Sequence, residues 1–113
     1  MKLEMRRIIL FTSKMQAMAD FYQNVIGLPL LTGEEGWREY QAGGCNIALH
    51  RGKPSVGMRP PKMVFFAADV AAARATLVRR GARTLGKVIS GPAFDMCNGK
   101  DPDGNSFQIS SRR

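Results

Sequence analysis

One pattern runs through this chain twice, and the repetition limits what it can fold into. Residues 5–11 are apolar and β-prone, which predicts a strand. Ser13 followed by Gln16 makes a capping box, whose hydroxyl and amide satisfy backbone N–H groups at a helix start. Met15, Met18, Tyr22, Val25 and Ile26 then recur at helical spacing. Gly27 suits a left-handed C-terminal cap, and Pro29 cannot continue the helix. Three short strands are predicted next, at residues 30–32, 37–41 and 46–50, with glycine turns between them. Residues 51–61 hold three prolines and two glycines and read as an exposed connection.

The order then restarts. Residues 62–67 predict a strand, and Asp69 is placed to cap a helix with the stripe Val70, Ala73 and Leu77. Arg79 and Arg80 suit the negative end of that helix, and Gly81 stops it. Strands are predicted at residues 84–89, 93–98 and 106–110, with a type I turn at Asp101-Pro102-Asp103-Gly104. The chain therefore reads βαβββ twice. An offset of 55 aligns Arg7 with Lys62, Phe11 with Phe66, Met15 with Val70 and Met18 with Ala73. One gap then brings Gly27 opposite Gly81. Neither half is large enough for its own core, so the two should pack into one domain or swap between chains. The boundaries read as module one at 1–52, a linker at 53–61 and module two at 62–113.

A length of 113 residues suits one domain, and an apolar fraction of 44% argues against disorder. Lys and Arg number 17 against 9 Asp and Glu, a formal charge of +8. The resulting pI near 10.2 points to an anionic partner, whether nucleic acid, an anionic membrane surface or a small acidic ligand. No secretory signal or membrane-spanning run is visible. Cys45 and Cys97 stand 52 positions apart, outside any CxxC pair, and read as reduced thiols of a cytoplasmic protein.

Three stretches resemble the vicinal oxygen chelate superfamily, the glyoxalase, bleomycin-resistance and extradiol-dioxygenase group. They are Phe11 through Phe21-Tyr22 to Gly27-Leu28, then Phe66 through Asp69-Val70 to Gly81-Ala82, then Asp101-Pro102-Asp103-Gly104-Asn105 before a final strand. The resemblance spans nearly the whole chain. It implies an α+β fold in which two βαβββ modules form a cup-shaped mixed sheet, completed in a homodimer by shared strands. One fold hosts many functions, so the chemistry must be argued from the site.

Many members of the superfamily bind one divalent metal through His, Glu or Gln on the first and last strand of each module. Carried onto this sequence, those positions are Arg7, Ala48, Lys62 and Gln108. Arg has no lone pair to donate, Ala has no donor atom, and Lys is a poor ligand while charged. Two cations at about 4 Å from a divalent ion would repel it by several kcal/mol at intermediate dielectric. Neither a metal nor another cofactor is expected, and metal-dependent glyoxalase, epimerase or dioxygenase chemistry would lack its Lewis acid.

His50 is the only histidine and falls on the same strand face as Ala48, where it is a weak candidate for a general base or else a hydrogen-bonded strand residue. Cys97, on a strand predicted to lie inside the sheet, is either a thiol activated by nearby cations or an inert buried one. Trp37 and Tyr40 could wall a ligand site, but their odd spacing puts them on opposite faces. Met15 and Met18 read as core. Arg7 and Lys62 would face the centre of the cup. They would meet a ligand's carboxylate, phosphate or enolate, or else pair with Glu4, Glu39 or a neighbouring chain's acid, or point outward.

The expectation is thus a metal-free protein binding a small anionic ligand in a cleft of Arg7, Lys62, Gln108, Ala48, His50, Trp37 and Cys97. Sequestration of cationic drugs of the bleomycin kind is disfavoured by the charge. One alternative is a glyoxalase-type lyase or isomerase, or a dioxygenase-related enzyme. Another is a basic nucleic-acid-binding module, for which Arg79, Arg80, Arg83, Lys87, Arg112 and Arg113 supply charge without a recognised motif.

Overall fold

A strand that must pair in parallel with a later strand needs a crossover, and in each half of this chain a helix supplies it. The computed structural model describes residues 1–113 and divides into two compact units, Met1–Ser55 and Val56–Arg113. The first contains β1 (Arg7–Thr12), α1 (Met15–Asp20) continuing as a π-helical segment (Phe21–Ile26), β2 (Leu30–Glu34), β3 (Trp37–Tyr40) and β4 (Asn46–Arg51). The second contains β5 (Lys62–Phe66), α2 (Val70–Arg79), β6 (Ile89–Ser90), β7 (Asp95–Lys100) and β8 (Ser106–Ser110). Each unit forms one four-stranded sheet, ordered β1-β4-β3-β2 and β5-β8-β7-β6. In both, the first and last strands pair in parallel and the rest antiparallel. The architecture is the expected α+β pair of βαβββ modules.

Strand alternation splits each sheet into a helix-facing side and an open side. In the first unit Ile47, Leu49 and Tyr40 are buried with Met18, Ala19 and Tyr22 of the helical segment. The Tyr40 hydroxyl donates to the Ala19 carbonyl at 3.3 Å, and burial raises its pKa. In the second unit Cys97, Phe107 and Ile109 are buried with Val70 and Leu77 of α2.

Four local expectations change. The Ser13–Gln16 capping box does not form, because the helix starts one residue later with Lys14 in the cap position. Thr12, fully buried at the end of β1, accepts the Lys14 N–H at 2.9 Å instead. The second half of that helix is wider than its 3.6-residue spacing suggests. Gly27 and Leu28 N–H groups both donate to the Tyr22 carbonyl, at 3.2 and 2.9 Å, and Gly27 closes the segment at φ 89°. The expected strand at 84–89 shrinks to β6. The Thr84 hydroxyl takes the Lys100 N–H at 3.2 Å in place of a backbone carbonyl, and donates to the Lys100 carbonyl at 2.6 Å. The Arg74 guanidinium takes the carbonyls of Gly86 and Leu85, at 2.8 and 3.3 Å. β7 begins two residues later than expected, after a turn closed by the Gly91 N–H to the Phe94 carbonyl at 3.1 Å.

Other expectations are met as drawn. Asp69 accepts the Ala72 N–H at 3.0 Å and so caps α2. The turn after β7 closes through the Gly104 N–H to the Asp101 carbonyl at 2.9 Å, with Gly104 at φ 88°. The Asp101 carboxylate braces it by accepting from the backbone of Asp103 and Asn105.

Gly99 lets β7 approach the core closely. A Cβ there would stand 2.6 Å from Cζ of the buried Phe107 ring. Gly99→Ala is expected to lower stability by about 1–3 kcal/mol through this overpacking. Urea unfolding checks it, and an unshifted midpoint would mean that the ring yields.

Candidate functional site

The open face of each sheet is built in rows set by the strand register. In the first unit β1 and β4 pair Arg7 with Asn46, and across the next row Ile9, Ala48, Glu39 and Thr32 lie side by side. The third row is Phe11, His50, Trp37 and Glu34. In the second unit the rows are Lys62, Ser106 and Lys100, then Val64, Gln108 and Asn98, then Phe66, Ser110, Met96 and Ile89.

In the first unit the cation is neutralised. Arg7 Nε donates to Glu39 Oε2 at 2.8 Å, and Asn46 Nδ2 donates to the same oxygen at 2.8 Å. Glu39 is 8% exposed. The Arg7 and Asn46 hydrogen bonds hold its carboxyl below the ordinary carboxylate value, against the opposing effect of burial. His50 sits between two ring edges, 5.3 Å from Phe11 and 5.9 Å from Trp37. Its Nδ1 lies 2.8 Å from the Arg51 carbonyl. A carbonyl can only accept, so the neutral ring carries its proton on Nδ1 and keeps its lone pair on Nε2.

The second unit has a related arrangement, in which the added amide donor comes from Gln108, the counterpart of Ala48, and not from Ser106, the counterpart of Asn46. Glu39 and Asn98 occupy matching places, each on the strand beside the last one and opposite Ala48 or Gln108. Lys62 Nζ donates to Asn98 Oδ1 at 3.1 Å, and Gln108 Nε2 donates to the same oxygen at 3.0 Å. An amide thus stands where the first unit has a carboxylate, and the bond to Asn98 leaves the charge of Lys62 uncancelled. Beside it, a shallow pocket of about 380 Å³ takes Lys62, Asn98, Lys100 and Ser106 from this face and Thr84, Gly99 and Phe107 from beyond it, so it lies across the end of the sheet. Residues 56–113 hold 10 of the 17 Lys and Arg but only 4 of the 9 Asp and Glu, so most of the net charge belongs to this unit.

The residues singled out in the sequence divide accordingly. Arg7, Ala48, His50 and Trp37 share the open face of the first sheet, and Lys62 and Gln108 share that of the second. Trp37 and Tyr40 do fall on opposite faces. Cys97 does not join this grouping. Its register partner is Ile109, one step from Gln108, so its side chain belongs to the helix side. There it is fully buried, and burial pushes its thiol pKa up, away from activation. Asn98, Lys100, Ser106 and Asn46 were not singled out. The hairpin turn at Asp101–Gly104 would have supplied the signal, since it aligns Lys100 with Ser106 and Asn98 with Gln108.

The donor set does not fit the divalent metal typical of the superfamily. Arg7 is committed to Glu39, Ala48 has no donor atom, and Lys62 is a cation. The Gln108 amide N–H group is turned to Asn98 and to Met96 Sδ, the latter at 3.1 Å. No three His, Cys, Asp or Glu side chains gather closely enough to hold an ion.

The chain belongs to the glyoxalase-like domain family, which matches residues 7–110. Solved structures agree on the fold. A glyoxalase/bleomycin resistance protein/dioxygenase from Nocardioides is 17% identical, with a TM-score of 0.75 over 97% of this chain and 83% of its own. Lactoylglutathione lyase from Agrobacterium tumefaciens is also 17% identical, with a TM-score of 0.75 over 96% and 93%. TnmS3, an antibiotic binding protein from Streptomyces sp. CB03234, is 22% identical, with a TM-score of 0.77 over 96% and 94%. The vicinal oxygen chelate superfamily is thereby supported, and at these identities the likeness speaks for the fold. Comparison with curated proteins gives no match. No helix is long and apolar enough to cross a membrane.

The Arg7–Glu39 pair makes a pH-dependent contribution. A carboxyl whose folded pKa is lowered stabilises the fold above its unfolded value, near 4.5, and loses that effect as pH falls through the folded value. Glu39→Gln is expected to cost about 1–2 kcal/mol at neutral pH, a charged hydrogen bond discounted for the partly exposed Arg7. Thermal unfolding followed downward from neutral pH should show the wild type and the variant converging below about 4.5. A constant difference would refute the linkage.

Proposed function

We propose that the protein binds a small anionic molecule, without a resident metal, on the open face of its second sheet. The observation behind this reading is the exchange between the two units. The position that neutralises Arg7 with a carboxylate in the first offers Lys62 only an amide in the second. A cation left uncancelled beside Lys100 and Ser106, at the rim of a pocket, favours an anion by charge and by hydrogen bonding. A neighbour of the same fold described as an antibiotic binding protein supports a small-molecule ligand, and the misfit of the donor set supports the absence of metal.

Thermal shift separates this reading from its rivals. A ligand at about a hundred times its Kd adds about 2.7 kcal/mol, on the order of 10 °C for a domain of this size. Small carboxylates or phosphates should raise Tm in the wild type and fail to do so in Lys62→Gln. Stabilisation by zinc, nickel or iron but not by anions would instead favour a glyoxalase-type lyase or isomerase. Salt-sensitive retention of labelled DNA or RNA would favour the nucleic-acid module.

The reading also includes a homodimer in the cytoplasm, where Cys45 and Cys97 stay as free thiols. Ile9, Phe11, Leu30 and Leu31 in the first unit are 44–51% exposed and offer apolar surface for a second copy. Light scattering should give twice the 12.4 kDa chain mass, and a monomer at micromolar concentration would remove the dimer from the reading.

A further inference from the structure

The open face of the second sheet changes character along its strands. Same-face rows lie roughly 6.6 Å apart, so three rows span about 13 Å. The first row holds Lys62 and Lys100 on either side of Ser106. The Lys62 ammonium reaches over to Asn98 Oδ1 at 3.1 Å, and Lys100 flanks Ser106 from the other strand. The second row adds Val64, which is 58% exposed. The third contains Phe66 and Ile89, 51% and 48% exposed, and the Arg113 guanidinium lies 5.0 Å over the Phe66 ring.

We infer that the ligand of this face is an aryl acid: a carboxylate held by Lys62 and Lys100, and an aromatic body laid along the strands against Val64 and Phe66. The inference rests on the anion reading above and specifies the rest of the molecule. The two lysines gather their charge at one end of the face, where Lys62 reaches across to Asn98, the footprint of a single oxyanion. The side chains of the next row are an aliphatic one and two amides, and the one cation beyond it, Arg113, is laid on the Phe66 ring, so charge and flat apolar surface are separated along the face. Beyond that row, the Phe66 ring with a guanidinium stacked on it presents flat surfaces, which an aromatic ring covers better than an alkyl chain does. Together the rows match a head-to-ring length of about 10 Å, set by the strand rise.

Three probes, titrated into the full-length protein by calorimetry and by amide NMR, test this: acetate, 4-phenylbutyrate and 4-phenylbutan-1-ol. 4-Phenylbutyrate is expected to bind at least about tenfold more tightly than acetate, from apolar surface removed from water. Lys62→Gln should weaken both acids by about tenfold. Phe66→Ala, at a half-exposed position, should weaken 4-phenylbutyrate and leave acetate unchanged, with circular dichroism confirming that both variants are folded. Amide signals of Val64 and Phe66 should move with 4-phenylbutyrate alone. If 4-phenylbutyrate binds no better than acetate while both depend on Lys62, the aryl body is wrong and the anion reading stands. If 4-phenylbutan-1-ol binds as tightly as the acid, the carboxylate contact is wrong. If no acid binds in a Lys62-dependent way, the anion reading itself falls.

Discussion

A single helix can cover only one side of a four-stranded sheet, and most of what this protein offers to a ligand follows from that limit. Side chains alternate along each strand, so half of them pack under the helix and half are left facing away from it. In the first unit the covered half is Ile47, Leu49 and Tyr40. In the second it is Cys97, Phe107 and Ile109. The uncovered half is therefore free of the demands of the core, and it is there that charges, amides and half-exposed rings collect. The parallel pairing of first and last strand brings Arg7 beside Asn46 and Lys62 beside Ser106, which puts residues distant in sequence into one row.

The two units show how a duplicated scaffold acquires two different surfaces. Both direct a cation from the first strand onto an oxygen two strands away, and both add an amide N–H to that oxygen. The convergence on one oxygen is shared and the charge is not. Glu39 closes the first arrangement electrically, while Asn98 satisfies the hydrogen bonds of the second and leaves its charge in place. Most of the excess basicity of the chain belongs to the same half. The +8 thus belongs mostly to the second unit rather than being spread evenly along the chain.

The repeat, the element order and both helix caps at Asp69 and Gly27 were legible because each has a local cause: a carboxylate that meets a first-turn N–H, or a glycine where φ must be positive. What escaped the sequence depended on partners far along the chain. Thr84 to Val88 look β-prone, but their ladder bonds are taken by a threonine hydroxyl and by Arg74 from the helix, so no local pattern could show that the strand stops short. The site divides the same way. Arg7 and Lys62 were visible by their matched positions. Which of them keeps its charge rests on Glu39 and Asn98, 32 and 36 residues further on. Cys97 was assigned to the wrong side although the turn at Asp101–Gly104 was legible, because its register was not carried down the hairpin to pair Cys97 with Ile109.

The shortened β6 has a consequence for how the protein meets its own copies. An unpaired strand edge is a template on which another chain can add a strand, and long flat edges invite aggregation. The outer edge of β7 offers no such run. Met96 lies against Ile89 of β6, the backbone of Asp95 is turned to Ser111 on the other side, the Asn98 carbonyl takes the Gly86 N–H at 2.8 Å, and both backbone groups of Lys100 are taken by the Thr84 hydroxyl. What borders β7 is a two-residue strand and a loop fastened to the helix by Arg74. Sheet growth from this border is blocked by chemistry rather than by bulk, so a neighbour can approach the second unit through its faces but cannot lengthen its sheet along β7.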